Sequence, residues 1–430
     1  MKNLFIFLGC VGLFSSCNPD NHPLVGEVFV DSLILHYAIP AIARKNREEM
    51  KFWKSRIKSS SSGYLNESRF AGCLALEFRF FGDINRLIEA DSTLQKVDRD
   101  FNFREASVNL ALASSSVTGH QFVKADSFLQ RAKQLGLRPY ESYSSSFDVD
   151  FELGRYRAAE QDLKAISSPD DFGYFFRKSK MNHLDGRMDS AIYAMLKAAD
   201  LAGENIYLKA VAFSNAADLY VHAGKLQEAA SLYTTCLQSN AADFHSLMGL
   251  GWIALVHDRN DSLAKKIFQF VLSECQLPDP IFKLMQLAEW AGDREMEQLY
   301  ALAFVKRASD PRYGRMYNKY LIQVYTGILD NTALAESIAK SELANRATPQ
   351  TFAWYAWTLL QNDKKDEAVK IYRQYVSGKQ LEGLELYWMG RLMEDLHEGY
   401  NAMEYYKAAR LNKYDLDPLM EKDIEKKLNQ

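Results

Sequence analysis

The chain reads as an all-α protein, a superhelical solenoid of about ten helical hairpins. Two observations carry that expectation. Gly (22) and Pro (10) are scarce among 430 residues, which suits helices joined by short turns and disfavours a turn-dense sheet fold. Apolar and small residues also recur in blocks of 3.6-residue period that return at near-constant spacing. The clearest block is Phe213, Ala216, Ala217, Tyr220, Gly224, Leu226, Ala229, Tyr233 and Cys236. Its first four residues share one face of a helix. Gly224 closes a turn, and the small Ala217 and Ala229 let two helices approach closely.

At the N-terminus, Lys2 is followed by an apolar run from Leu4 to Phe14, too short to span a bilayer as a mature helix. It reads as a signal peptide over residues 1–16. The run ends in Phe14-Ser15-Ser16-Cys17, which resembles a bacterial lipobox. That resemblance implies that Cys17 becomes lipidated and then the mature N-terminus. More than one acyl chain, at ~0.8 kcal/mol per buried methylene, gives stable membrane attachment. Residues 17–27 form a tether, and the single acid in its first part, Asp20, favours a periplasm-facing outer-membrane position. Residues 28–63 read as two helices split near Pro40, an N-terminal cap that ends in the joint Ser59-Ser60-Ser61-Ser62-Gly63. Its basic stretch Arg44–Lys58 is interleaved with apolar residues and reads as a solvated helix face.

The repeats occupy residues 64–412. Copies include Ala71, Leu74, Ala75, Phe78, Gly82 and Leu87; Phe147, Gly154, Tyr156, Ala159 and Leu163; and Leu386, Met389, Gly390, Met393, Ala402 and Tyr406. With the small residue of the second helix as a ruler, the positions are Leu87, Ala125, Ala159, Ala191, Ala229, Ala264, Met296, Leu334, Ala368 and Ala402. The steps between them are 38, 34, 32, 38, 35, 32, 38, 34 and 34. Spacing and residue types resemble the tetratricopeptide (TPR) repeat, whose period is about 34. Pro418 opens a last helix within residues 413–430, acidic early and basic late, fit to cap the open end of a stack.

No pattern in the sequence carries catalysis. The eight histidines form no H-E-x-x-H or i, i+4 zinc pair, and there is no phosphate loop of the G-x-x-x-x-G-K-[ST] type. Gly249-Leu250-Gly251 falls inside a first helix, where close packing explains it. Asp258-Arg259-Asn260-Asp261 lacks the Gly and Glu of a calcium loop and reads as a solvated turn. Cys73, Cys236 and Cys275 are an odd number, two of them on packed faces, so no disulfide framework is expected. No cofactor and no metal are expected. The net charge of −3 gives no electrostatic reason for a nucleic-acid partner.

The TPR resemblance implies a concave groove lined from fixed positions of each first helix. Mapped onto this chain, those positions hold His245, Met248 and Trp252, then Phe282, Gln286 and Trp290, then Trp357, then Tyr387 and Arg391. Large aromatics with an arginine fork are the residue types that anchor a peptide. The expected function is therefore a non-catalytic, lipid-anchored scaffold that binds a protein or peptide segment in the cell envelope. The alternatives are a part of a barrel-assembly or exopolysaccharide-export machine, or a glycan-binding surface lipoprotein.

Overall fold

The computed structural model describes residues 22–59, 63–397 and 402–429; Cys17, the signal segment and Ser60 to Ser62 of the joint lie outside them. All secondary structure among the described residues is helical. Two helices, α1 (Glu27–Leu35) and α2 (Ala41–Ser59), precede ten antiparallel hairpins. The first five are α3 (Gly63–Phe81) with α4 (Ile84–Asp100), α5 (Ala106–Thr118) with α6 (Phe122–Leu135), α7 (Pro139–Glu152) with α8 (Tyr156–Ala165), α9 (Phe172–Leu184) with α10 (Met188–Leu201), and α11 (Ile206–His222) with α12 (Leu226–Ser239). Five more follow. They are α13 (Phe244–Val256) with α14 (Asp261–Glu274), α15 (Asp279–Trp290) with α16 (Arg294–Ala308), α17 (Asn318–Thr326) with α18 (Thr332–Leu343), α19 (Pro349–Gln361) with α20 (Lys365–Ile371), and α21 (Gly383–Leu396) with α22 (Ala402–Leu411). A final helix, α23 (Pro418–Leu428), ends the chain.

Each hairpin turn needs one residue of left-handed backbone. Gly82, Gly154, Gly186, Gly224 and Gly292 supply it in five turns, where the missing Cβ removes the steric penalty. His120, Arg259, Asp330, Asp363 and His397 adopt the same conformation in the other five. The turns are thus uniform although half of them lack the glycine signal. Helices start on side-chain caps; Asp83, Asp171, Asn205, Asp243, Asn260, Asp293 and Asn331 each accept a first-turn amide proton.

Within a hairpin, the small positions meet large ones. A Cβ on Gly251 would lie 2.5 Å from Cε1 of Phe268, and one on Gly390 would lie 2.6 Å from Cε1 of Tyr406. Close packing, as expected, is the role of Gly251. The ruler residues Ala125, Ala159, Ala191, Ala229, Ala264 and Ala368 are fully buried. Two positions correct the sequence register. Leu334 is exposed and Ala335 takes the buried slot, while beside Met296 the buried residue is Glu297, whose carboxylate pairs with Arg294 at 3.1 Å. A carboxylate in place of alanine hides the register from a reading by residue type.

The solenoid coils tightly enough to touch itself. The turn of each of the first five hairpins lies against the loop that follows the hairpin five places on. Gln276 N donates to Phe81 O at 2.8 Å, with Leu277 packed on Gly82. Gly314 faces the turn at Gly119, and Asn345, one loop further on, donates to His120 O at 2.9 Å and accepts from Phe122 N at 3.0 Å. Gly154 meets Ala347 and Thr348, Gly186 meets Gln380, and Gly224 meets Tyr414. These contacts close successive turns of the coil edge to edge.

The N-terminal segment crosses to the middle of the array. Leu24 N and Val25 N donate to Oδ1 and Oδ2 of Asp258 at 2.9 and 3.0 Å, and α1 packs on α14. Val25, Val30 and Ala43 join the buried cluster of Phe244, Ile253 and Ile267. The Asp258 side chain is 1% exposed, so this turn is not the solvated one that its composition suggests. Two backbone amides take the place of water around the carboxylate. Cys73, Cys236 and Cys275 are all free and buried.

Candidate functional site

The middle hairpins line a half-open cavity of about 660 Å³. Its walls come from α11, α13, α15 and α17, with the end of α3, the start of α21, and Tyr414, Asp415 and Asp417 ahead of or opening α23. First helices line it because their period brings His245, Met248 and Trp252 to one face of α13 and Phe282 and Gln286 to the matching face of α15. Phe80, Tyr207, Phe244, Tyr320 and Tyr414 complete an aromatic surround.

Of the nine sequence-derived groove residues, His245, Met248, Trp252, Phe282 and Gln286 line this cavity together. The other four do not. Trp290 lies between the Arg259 guanidinium, 4.9 Å from its ring centroid, and the Lys422 ammonium, 3.9 Å away. Trp357 stacks on Trp388 with centroids 5.5 Å apart, and its Nε1 donates to Thr326 Oγ1 at 3.1 Å. Tyr387 donates to Asp423 at 2.9 Å and accepts from Arg391 Nη1 at 3.2 Å. For Trp290 and Tyr387 the physical reason is α23, whose Lys422 and Asp423 take them up. Its Lys427 reaches Glu394 at 2.7 Å. The C-terminal helix fills the part of the trough that sequence spacing leaves open.

The cavity is rich in charge, and most of its charges are paired. Asp218 accepts from Tyr233 at 2.5 Å and from His245 Nε2 at 2.9 Å. Asp218 lifts the His245 imidazole to about 9, so the ring is charged at neutral pH. His222 Nδ1 contacts Asp415 at 2.5 Å; burial works against its charge, but Asp415 outweighs burial and raises it to about 9. Lys319 pairs with Glu385 at 3.0 Å and Glu382 at 3.3 Å, and the lysine holds Glu382 down to about 2. Asp279 accepts from Tyr317 at 2.7 Å.

Lys283 is different. Its ammonium lies 3.4 Å from the centroid of the Trp252 ring and donates to Gln286 Oε1 at 2.9 Å. Among the described residues it forms no ion pair. Burial draws its pKa down to about 7, in spite of the opposing pull of Asp417 and Asp279. Trp252 is itself fixed, because Nε1 donates to Tyr414 O at 2.8 Å. Two N–H donors of Lys283 therefore remain for a guest in an aromatic-walled space. Sequence reading missed Lys283 because it sits next to, rather than on, the expected groove positions. No group of three or more His, Cys, Asp or Glu side chains arranged to hold a metal occurs among the described residues.

Comparison with known proteins gives no family: no family profile matches the chain, and no curated protein does. Solved structures share the helical-repeat build. A tetratricopeptide repeat protein from Parabacteroides merdae is 14% identical with a TM-score of 0.35, covering 68% of this chain and 99% of its own. Human IFIT1, solved as a dimer with m7Gppp-AAAA, is 11% identical with a TM-score of 0.44, covering 86% and 94%. Yeast Tom70 is 16% identical with a TM-score of 0.39, covering 85% and 68%. Scores this low reflect a common kind of element, and they say nothing about what this chain binds.

Proposed function

We propose that this chain is a non-catalytic scaffold of the cell envelope, anchored through lipid on Cys17, that holds a short segment of a partner protein in its interior cavity. The observation that carries the binding reading is Lys283, a half-buried cation without an ion pair among the described residues, set on the face of a fixed tryptophan in an aromatic-walled cavity. Such a group is costly to keep in an empty site and becomes favourable once a guest supplies acceptors. The volume of about 660 Å³ fits a few residues, in the range of roughly 300–1,000 Å³ usual for compact ligands. A long extended chain would need an open trough, and the closed coil together with α23 leaves less of one than the repeat count implies. The anchor reading rests on the sequence around Cys17 and favours the periplasmic side of the outer membrane.

The test is a photo-crosslinking side chain in place of Met248, which is half-buried in the cavity wall. In intact cells it should give a defined adduct with one partner segment, and Lys283→Met should abolish that adduct. An adduct that persists unchanged in Lys283→Met, or none above the level of a probe in place of the exposed Tyr193, would refute the cavity as the site. Fatty-acid labelling that is present in the native chain and absent in Cys17→Ala checks the anchor separately.

A further inference from the structure

The N-terminal strap fixes how the body stands relative to any membrane that holds Cys17. Asp258 clamps the backbone of Leu24 and Val25, so the chain is rigidly attached only seven residues after Cys17. Seven extended residues reach at most ~25 Å. Whatever lipid Cys17 carries is therefore held close to α1.

The outward side of α1 is built unlike an ordinary solvated face. Val30 is fully buried against the body, while Val28 and Leu35, seven residues apart on the opposite side, are 84% and 78% exposed. No described residue covers them. The next helix starts beside α1, with Ala43 in the same buried cluster as Val30. It carries seven cations and two carboxylates in a chain whose net charge is −3. Arg47, Lys54 and Lys45 pair with Glu77, Glu89 and Glu49, while Arg44 and Lys51 are exposed, and so are Ile42 and Phe52 on the same helix. Exposed apolar side chains interleaved with cations, beside a lipid attachment point, suit the interface of an anionic bilayer.

The geometry points to one orientation: the outward face of α1 and the start of α2 rests on the anionic bilayer that holds the Cys17 lipid. This rests on the lipid-anchored reading of Cys17. It follows that α14, on which α1 packs, stands on the membrane side of the protein.

The experiment uses the full-length, lipid-modified protein in vesicles of phosphatidylethanolamine and phosphatidylglycerol. A genetically encoded fluorescent side chain is placed in place of Leu35, of Val28, or of Tyr193, an exposed residue two hairpins round the coil. Lipids carrying a spin-label quencher near the headgroup should quench the probes at 35 and 28 at least threefold more than the probe at 193. Equal quenching at all three positions overturns the orientation. So does no quenching at 35 and 28 while mass spectrometry finds the lipid on Cys17 and the protein floats with the vesicles; that result leaves the anchor standing and points to a protein partner on this face. An unlipidated Cys17 in the mature protein removes the anchor and this inference with it.

Discussion

Asp258 is a single side chain on which a whole segment depends. Its carboxylate answers two backbone amides that lie over 230 residues away in sequence and would otherwise be buried without partners. Asp258→Ala should leave those amides unsatisfied at about 1–3 kcal/mol each and free the strap. Hydrogen exchange would report this as faster exchange at Leu24, Val25 and α1, with the hairpins unchanged. Lys283 behaves in the opposite sense. Its pKa, about 7 in the folded chain, lies below the ordinary lysine value, so it destabilises fully below pH 7 and is relieved as pH rises toward that ordinary value. Lys283→Met should therefore raise the melting temperature at pH 6–7 while weakening partner binding. A variant that loses stability instead would mean that the lysine serves the fold.

Hairpins are held by fit at the small positions. Gly390→Ala places a methyl 2.6 Å from the fully buried Tyr406 ring, which is bounded by Tyr387 and Lys427 and has little room to retreat. Overpacking of this kind costs about 1–3 kcal/mol, readable as a lower midpoint in urea. The turns offer the converse. Asp363 holds φ at +58° at an exposed site, a conformation that glycine adopts freely, so Asp363→Gly should stabilise by up to ~1 kcal/mol. The same two rules explain what could be read in advance. The alanine ruler and glycine turns mark hairpins wherever they occur. Glu297 and Ala335 shift the register by one residue because the helix start set by Asp293 and Asn331, not the residue type, decides which side chain turns inward.

At the level of the molecule, closure of the coil decides what the protein can bind. His222 and Asp415 join the fifth hairpin to the loop after the tenth. Because the folded pKa of His222 is raised to about 9, its contribution is fully present below the unfolded value near 6.5 and is lost as pH rises through 9. His245 on Asp218 acts with the same sign. Thermal stability of the native chain should fall between pH 6.5 and 9, and His222→Gln should flatten that slope. A slope unchanged in His222→Gln would show that this contact does not hold the coil closed. The Lys283 effect runs the other way with pH, so the two variants separate the contributions.

Local periodicity was enough to reveal helices, their pairing into about ten hairpins and the packed positions of Cys73 and Cys236. Such features depend on residues within one repeat, and the 3.6-residue period encodes them directly. The closed coil, the α23 plug over Trp290 and Tyr387, the strap on Asp258 and the unpaired Lys283 became visible only in three dimensions. Each brings together residues far apart in the chain, roughly five hairpins in the case of the coil, and their pairing is set by superhelical pitch. Pitch is the sum of many small differences in side-chain volume between neighbouring hairpins, and no single position in the sequence carries it.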